Sequence, residues 1–146
     1  MALLAVTLAA LLPLLRLMIQ GWEEGADRVE AQQHLRIAME EVLHELLYAC
    51  RVEVDAAGKI LTYYKRAAGE EKRYRLYISG KQLLLQLPEG VSVPLAACVD
   101  SLAFAPSGRL AAGEVLTVTL ETSQAGQKAA ARSAVRPRNL PAGGET

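Results

Sequence analysis

The amino-acid sequence predicts an α+β fold: a long N-terminal helix, part membrane stem and part amphipathic rod, packed on an antiparallel β-sheet head. Three observations carry that expectation. Met1 to Leu15 is an uncharged, mostly apolar stretch, broken at Arg16, that runs on into a polar helix without a convincing stop. From Asp27 onward, apolar residues recur at three- and four-residue steps. After Cys50 the period falls to two, which marks strands.

Composition sets the outer bounds. With 146 residues the chain is long enough for one domain with a real core and too short for two comfortable ones. Hydrophobic residues make up 51%, at the upper edge of the globular range, and the excess lies in the first nineteen positions. Lys plus Arg and Asp plus Glu both number 16, so no global field favours nucleic acid or an acidic partner. Five Tyr, one Phe and one Trp are too few to suggest a base-stacking surface. Four segments follow: 1–22 as a partial transmembrane stem, 23–50 as its amphipathic continuation, 51–140 as the antiparallel head, and 141–146 as a frayed tail.

The apolar start has three readings. A cleaved secretory signal needs a basic n-region and a small-x-small site, and neither is clear here. A complete membrane span is too long for it, since fifteen helical residues cover roughly 22 Å against a hydrocarbon core of about 30 Å. The surviving part of a longer anchor fits best. Within it, Pro13 removes a backbone hydrogen bond and bends the helix, which membrane helices tolerate. Arg16 is placed to snorkel, and Trp22 suits a headgroup boundary. The stem packing positions are Leu8, Leu11, Leu12, Pro13, Leu15, Leu17, Met18 and Trp22.

Along the amphipathic half, Leu35, Met39, Val42, Leu43, Leu46, Leu47 and Cys50 line one face. Arg36, Glu40, Glu41, His44 and Glu45 occupy the rest. In the head, strands are expected at Arg51–Asp55, Lys59–Arg66, Lys72–Ser79 and around Leu83 to Leu87, with a tight hairpin at Gly80-Lys81. Pro88, Gly90 and Pro94 interrupt the pattern and read as a loop. Further strands are expected at Val99–Phe104, Val115–Thr122 and Lys128–Arg136, giving five to seven in all.

Residues that carry chemistry are few. Cys50 and Cys98 are too few for a disulfide framework. A bond between them would close a loop of about 48 residues and stabilise by about 4 kcal/mol, while two separate buried thiols are the equal alternative. His34 and His44 point in different directions on the helix and read as solvated. Arg66, Lys72, Arg73 and Arg75 cluster around one hairpin, either as a basic patch able to touch phosphates or as an edge protected by charge. No phosphate loop, nucleophile elbow, metal-ligand spacing or paired carboxylate cleft is present, so neither an enzymatic activity nor a cofactor or metal is expected.

An apolar helix containing a proline, an amphipathic continuation and an antiparallel head together resemble type IV pilins and pseudopilins. LLPLLRLMIQGW, from Leu11 to Trp22, is similar to the end of that family's stem, and AQQHLRIAMEEVLHELLYA, from Ala31 to Ala49, to the helix that follows it. The tail from Val115 to Leu140 resembles the closing hairpin of the J-type minor pseudopilins, with Val135-Arg-Pro-Arg-Asn139 as the most specific match. The family's basic leader, its glycine before the cleavage point and its early glutamate have no counterpart here, and Pro13 lies closer to the start than the family's proline. An internal start or a truncated anchor is the expectation.

The resemblance implies a non-enzymatic minor subunit of a type IV pilus, a type II secretion pseudopilus or a competence pseudopilus, in a tip or initiation complex. It implies an inner-membrane, single-pass location with the head extracytoplasmic, and other pilin-like subunits and an inner-membrane assembly platform as partners. The competing expectation is a membrane-tethered binding module that takes DNA or a surface ligand on the basic hairpin.

Overall fold

The computed structural model describes residues 2–124 and 127–141, with side chains described at 13, 16, 18, 21 and 22, over 29–123 and over 128–141. One helix, α1 (Ala2–Leu47), precedes nine strands. The strands are β1 (Arg51–Val54), β2 (Leu61–Ala67), β3 (Glu70–Ser79), β4 (Gln82–Gln86), β5 (Ser92–Ala97), β6 (Ser101–Ala105), β7 (Gly108–Arg109), β8 (Leu116–Gln124) and β9 (Gln127–Val135). They form a six-stranded sheet in the order β5-β4-β3-β2-β1-β7 and a three-stranded sheet in the order β6-β8-β9, both antiparallel throughout.

Two parts of the expected fold are corrected. The head is not one sheet but two. Nor is a membrane stem supported: among the described residues, no helix is long and apolar enough to cross a membrane. The expected single-pass inner-membrane location and the membrane as a partner lose their footing with it. Among the described residues, burial along the helix starts at Ala31, so the helical segment seen built into the body is short. The fold is therefore a predominantly β body with one packed helical segment.

That segment follows the expected period. Leu35, Met39, Val42 and Leu46 are buried, and Ala31, Ala38 and Ala49 complete the face. It lies mainly against β8 and β9, with a further contact to β5. β9 runs alongside it in the same direction: Lys128 to Ala131 line a groove with Ala31 to Glu40, and Arg138 meets Leu47. The core is continuous, drawing Val52, Leu61, Tyr63, Leu76 and Leu83 from the large sheet and Phe104, Leu116, Val118 and Leu120 from the small one.

Strand alternation sorts the large sheet into an inner and an outer face. Leu61 and Tyr63 point inward on β2, as does Leu76 on β3. The turn after β1 links the two sheets: the Phe104 amide donates to the Gly58 carbonyl at 2.7 Å. Gly58 has φ +69°, and an added Cβ there would approach the Phe104 carbonyl oxygen to 2.9 Å, so glycine is required twice over. The Asp55 carboxylate closes the same turn by accepting from the Lys59 and Ile60 amides at 2.6 and 2.9 Å. These backbone bonds, led by that from Ile60, hold its carboxyl below the usual range.

β5 and β7 were not expected. β5 contains Pro94, which reads as a breaker in sequence but is tolerated because β5 is an edge strand, and the register slips between Leu83 and Leu84 beside it.

Candidate functional site

The expected basic patch is divided by the pleat. Arg73 and Arg75 on β3 fall on the outer face of the large sheet, where Tyr64 pairs with Arg73 and Thr62 with Arg75. Arg66 shares that face. Lys72 lies on the opposite one, in register with Lys65. The four residues of the hairpin therefore do not form one site. Arg66 is also partly neutralised by Glu71 at 3.7 Å.

The fold adds two arginines that reading the chain locally missed. Arg51 on β1 lies in the row with Tyr64 and Arg73, its guanidinium 4.4 Å from the centre of the Tyr64 ring and bonded to Glu53 at 2.8 Å. Arg109 on β7 opens a longer row, Arg109–Glu53–Thr62–Arg75–Gln86–Ser92, that crosses the whole sheet. Arg51 was legible from the alternation of β1 once the order β2-β1 is known. Arg109 was not, because a two-residue strand has no period.

On the inner side, Glu45 of α1 joins the helix to the large sheet. Its Oε2 accepts from the Tyr63 hydroxyl at 2.5 Å and from Lys65 Nζ at 2.7 Å. Tyr63 stacks on Tyr74 with centroids 5.3 Å apart, and the Lys65 ammonium lies within 6 Å of both rings. Burial alone would raise the Glu45 carboxyl, but the hydrogen bonds from Lys65 and Tyr63 and the lysine charge outweigh it and leave the group depressed. Burial, and then the carboxylate, pushes the Tyr63 phenol far up. The cluster holds elements together and presents no nucleophile.

Cys50 and Cys98 are both free thiols. Cys50 donates from Sγ to the Tyr64 carbonyl at 3.2 Å, and burial raises its thiol. It lines a cleft of about 700 Å³ with Tyr48, Lys65, Arg66, Glu71, Asn139 and Pro141. The Cys98 carbonyl accepts from the Thr122 hydroxyl.

The Val135–Asn139 motif has a structural task. A helix ends with carbonyls that lack partners within it. Here the Arg138 amide donates to the Leu47 carbonyl at 3.0 Å, and Asn139 Nδ2 donates to the Tyr48 carbonyl at 3.3 Å. Val135 and Pro137 are buried between these contacts, while Arg136 and Arg138 face out. The tail thus caps α1.

Of the stem positions, the side chains of Leu8, Leu11, Leu12, Leu15 and Leu17 lie outside the described residues, as does the tail after Pro141. Pro13 is exposed inside the helix, and Met18 and Trp22 are 66% and 82% exposed. His34 pairs with Glu30 and His44 packs edge-on against Tyr48, so the two remain separate. Among the described residues no group of His, Cys, Asp and Glu is arranged to hold a metal. In comparison with known proteins, the chain matches no family model, no curated protein and no solved structure.

Proposed function

We propose that the chain is a non-enzymatic assembly subunit of the minor pilin or pseudopilin kind, which joins like subunits through an exposed face of α1. The observation that carries this reading is an apolar seam separate from the core. Met18, Trp22 and Val29 are 66%, 82% and 62% exposed, and their spacings of four and seven place them within about 40° of one another on a helix. The core residues Leu35, Val42 and Leu46 project from a different face, on average about 120° around the helix. In the sequence the same alternation of three and four continues back through Leu15, Leu11, Leu8 and Leu4. Positions repeating every 3.5 residues are what a partner helix requires for knobs-into-holes packing. Glu45, the carboxylate that joins helix to sheet, is meanwhile committed to Lys65 and Tyr63. No membrane span is part of this reading.

Photo-cross-linking in the native cell tests it. A benzophenone amino acid replacing Trp22 or Val29 is expected to give adducts on the helix of a second copy or of another small helix-plus-sheet subunit. The same probe at Lys59, on the β1–β2 turn, is expected to give none of these. Absence of helix adducts from both seam positions, or equal yields from Lys59, would overturn the proposal.

A further inference from the structure

The outer face of the large sheet carries a second surface, independent of the helix seam. Arg51, Arg66, Arg73, Arg75 and Arg109 stand on it against Glu53 and Glu71, while Asp55 at the end of β1 is bonded into its own turn. Glu53 is taken by Arg51 and Glu71 by Arg66. Among the described residues Arg73, Arg75 and Arg109 have no carboxylate partner, so three guanidinium charges remain for something else. The chain's net charge is zero, and this excess is therefore local.

We infer that this face binds the backbone of double-stranded DNA, without reading its sequence, through Arg73, Arg75 and Arg109. Arg73 and Arg75 are two residues apart on one strand, about 7 Å, and Arg109 is three strands from Arg75, about 14 Å, which makes a flat array rather than a single anion pocket. Guanidinium forks match phosphate oxygens bidentately. Thr62, in the same row beside Arg75, carries a hydroxyl of the kind that also donates to phosphates. The Tyr64 ring, between Arg51 and Arg73 in its row, is not free to stack on bases, because the Arg51 guanidinium covers it. That favours backbone contact over single-strand stacking.

Fluorescence anisotropy with the whole chain and a labelled duplex of about 30 base pairs tests the inference. With three phosphates neutralised, affinity is expected to fall about forty-fold between ~50 and ~200 mM salt. The R73E/R75E variant is expected to lose at least ten-fold and R109E several-fold. Lys72→Glu serves as the control: it makes the same charge change per residue in the same hairpin but on the other face, and is expected to stay within two-fold. Should the double variant fail to fold by circular dichroism, R109E and R73Q decide. The inference is overturned if no binding is seen at the lower salt, if K72E is as damaging as R73Q, or if a Glu-rich peptide of about 20 residues binds as tightly as the duplex. None of these outcomes bears on the helix seam.

Discussion

Glu45 shows how one side chain fixes the relation of helix to sheet. Its carboxylate is four-fifths buried and takes two short bonds from β2. A carboxyl held below its unfolded value contributes stability at neutral pH and loses it as pH falls through the folded value. The wild-type chain is therefore expected to become markedly less stable as pH drops below the ordinary carboxylate range. Glu45→Gln is expected to cost roughly 1–3 kcal/mol at pH 7 and to flatten that acid dependence, because the charge-assisted bonds are gone. Urea unfolding at several pH values checks both effects, and an unchanged acid slope in the variant would refute the assignment. The residue itself was legible only as part of a polar helix face. Its partners Tyr63 and Lys65 are eighteen and twenty residues away, and nothing local in the sequence joins them.

At the level of elements, the sequence spoke most clearly where the hydrophobic pattern had a strong period. β2, β3 and β8 lie close to where alternation placed them, and the helix buries Leu35, Met39, Val42 and Leu46 as their spacing required. Alanines on that face were overlooked because alanine reads as neutral in such patterns, although Ala38 is fully buried. β5 was missed because Pro94 signals a break unless the strand is known to lie at an edge, which is a property of the whole sheet. The basic hairpin suffered in the same way: nearness along the chain put Lys72 with Arg73, and the pleat separated them. The tail motif carries its own prediction. Arg138→Pro removes the amide that meets the Leu47 carbonyl while leaving the remainder of the cap in place. A loss of about 1 kcal/mol is expected, together with faster hydrogen exchange in the last turn of α1. Unaltered exchange there would show that the bond does not hold the helix end.

For the molecule as a whole, the division into two sheets could not be read from any local signal. What unites them is a shared interior, in which Leu46 of the helix is fully buried with residues from both sheets. Leu46→Ala is expected to cost about 2–5 kcal/mol. Near- and far-ultraviolet circular dichroism should still trace one transition, because neither sheet has a core of its own. Two separated transitions would mean that the sheets fold independently. The bond from Phe104 to Gly58 is a second tie between them.

The alignment of β9 with α1 has a mechanical consequence. The two run side by side in the same direction and are fastened where the helix ends at Leu47. β9 in turn pairs with β8 over nine residue positions. Force drawn along the packed helical segment therefore loads that ladder lengthwise, along with β1, which the chain enters next, so its rungs share the load instead of parting one after another like a zip.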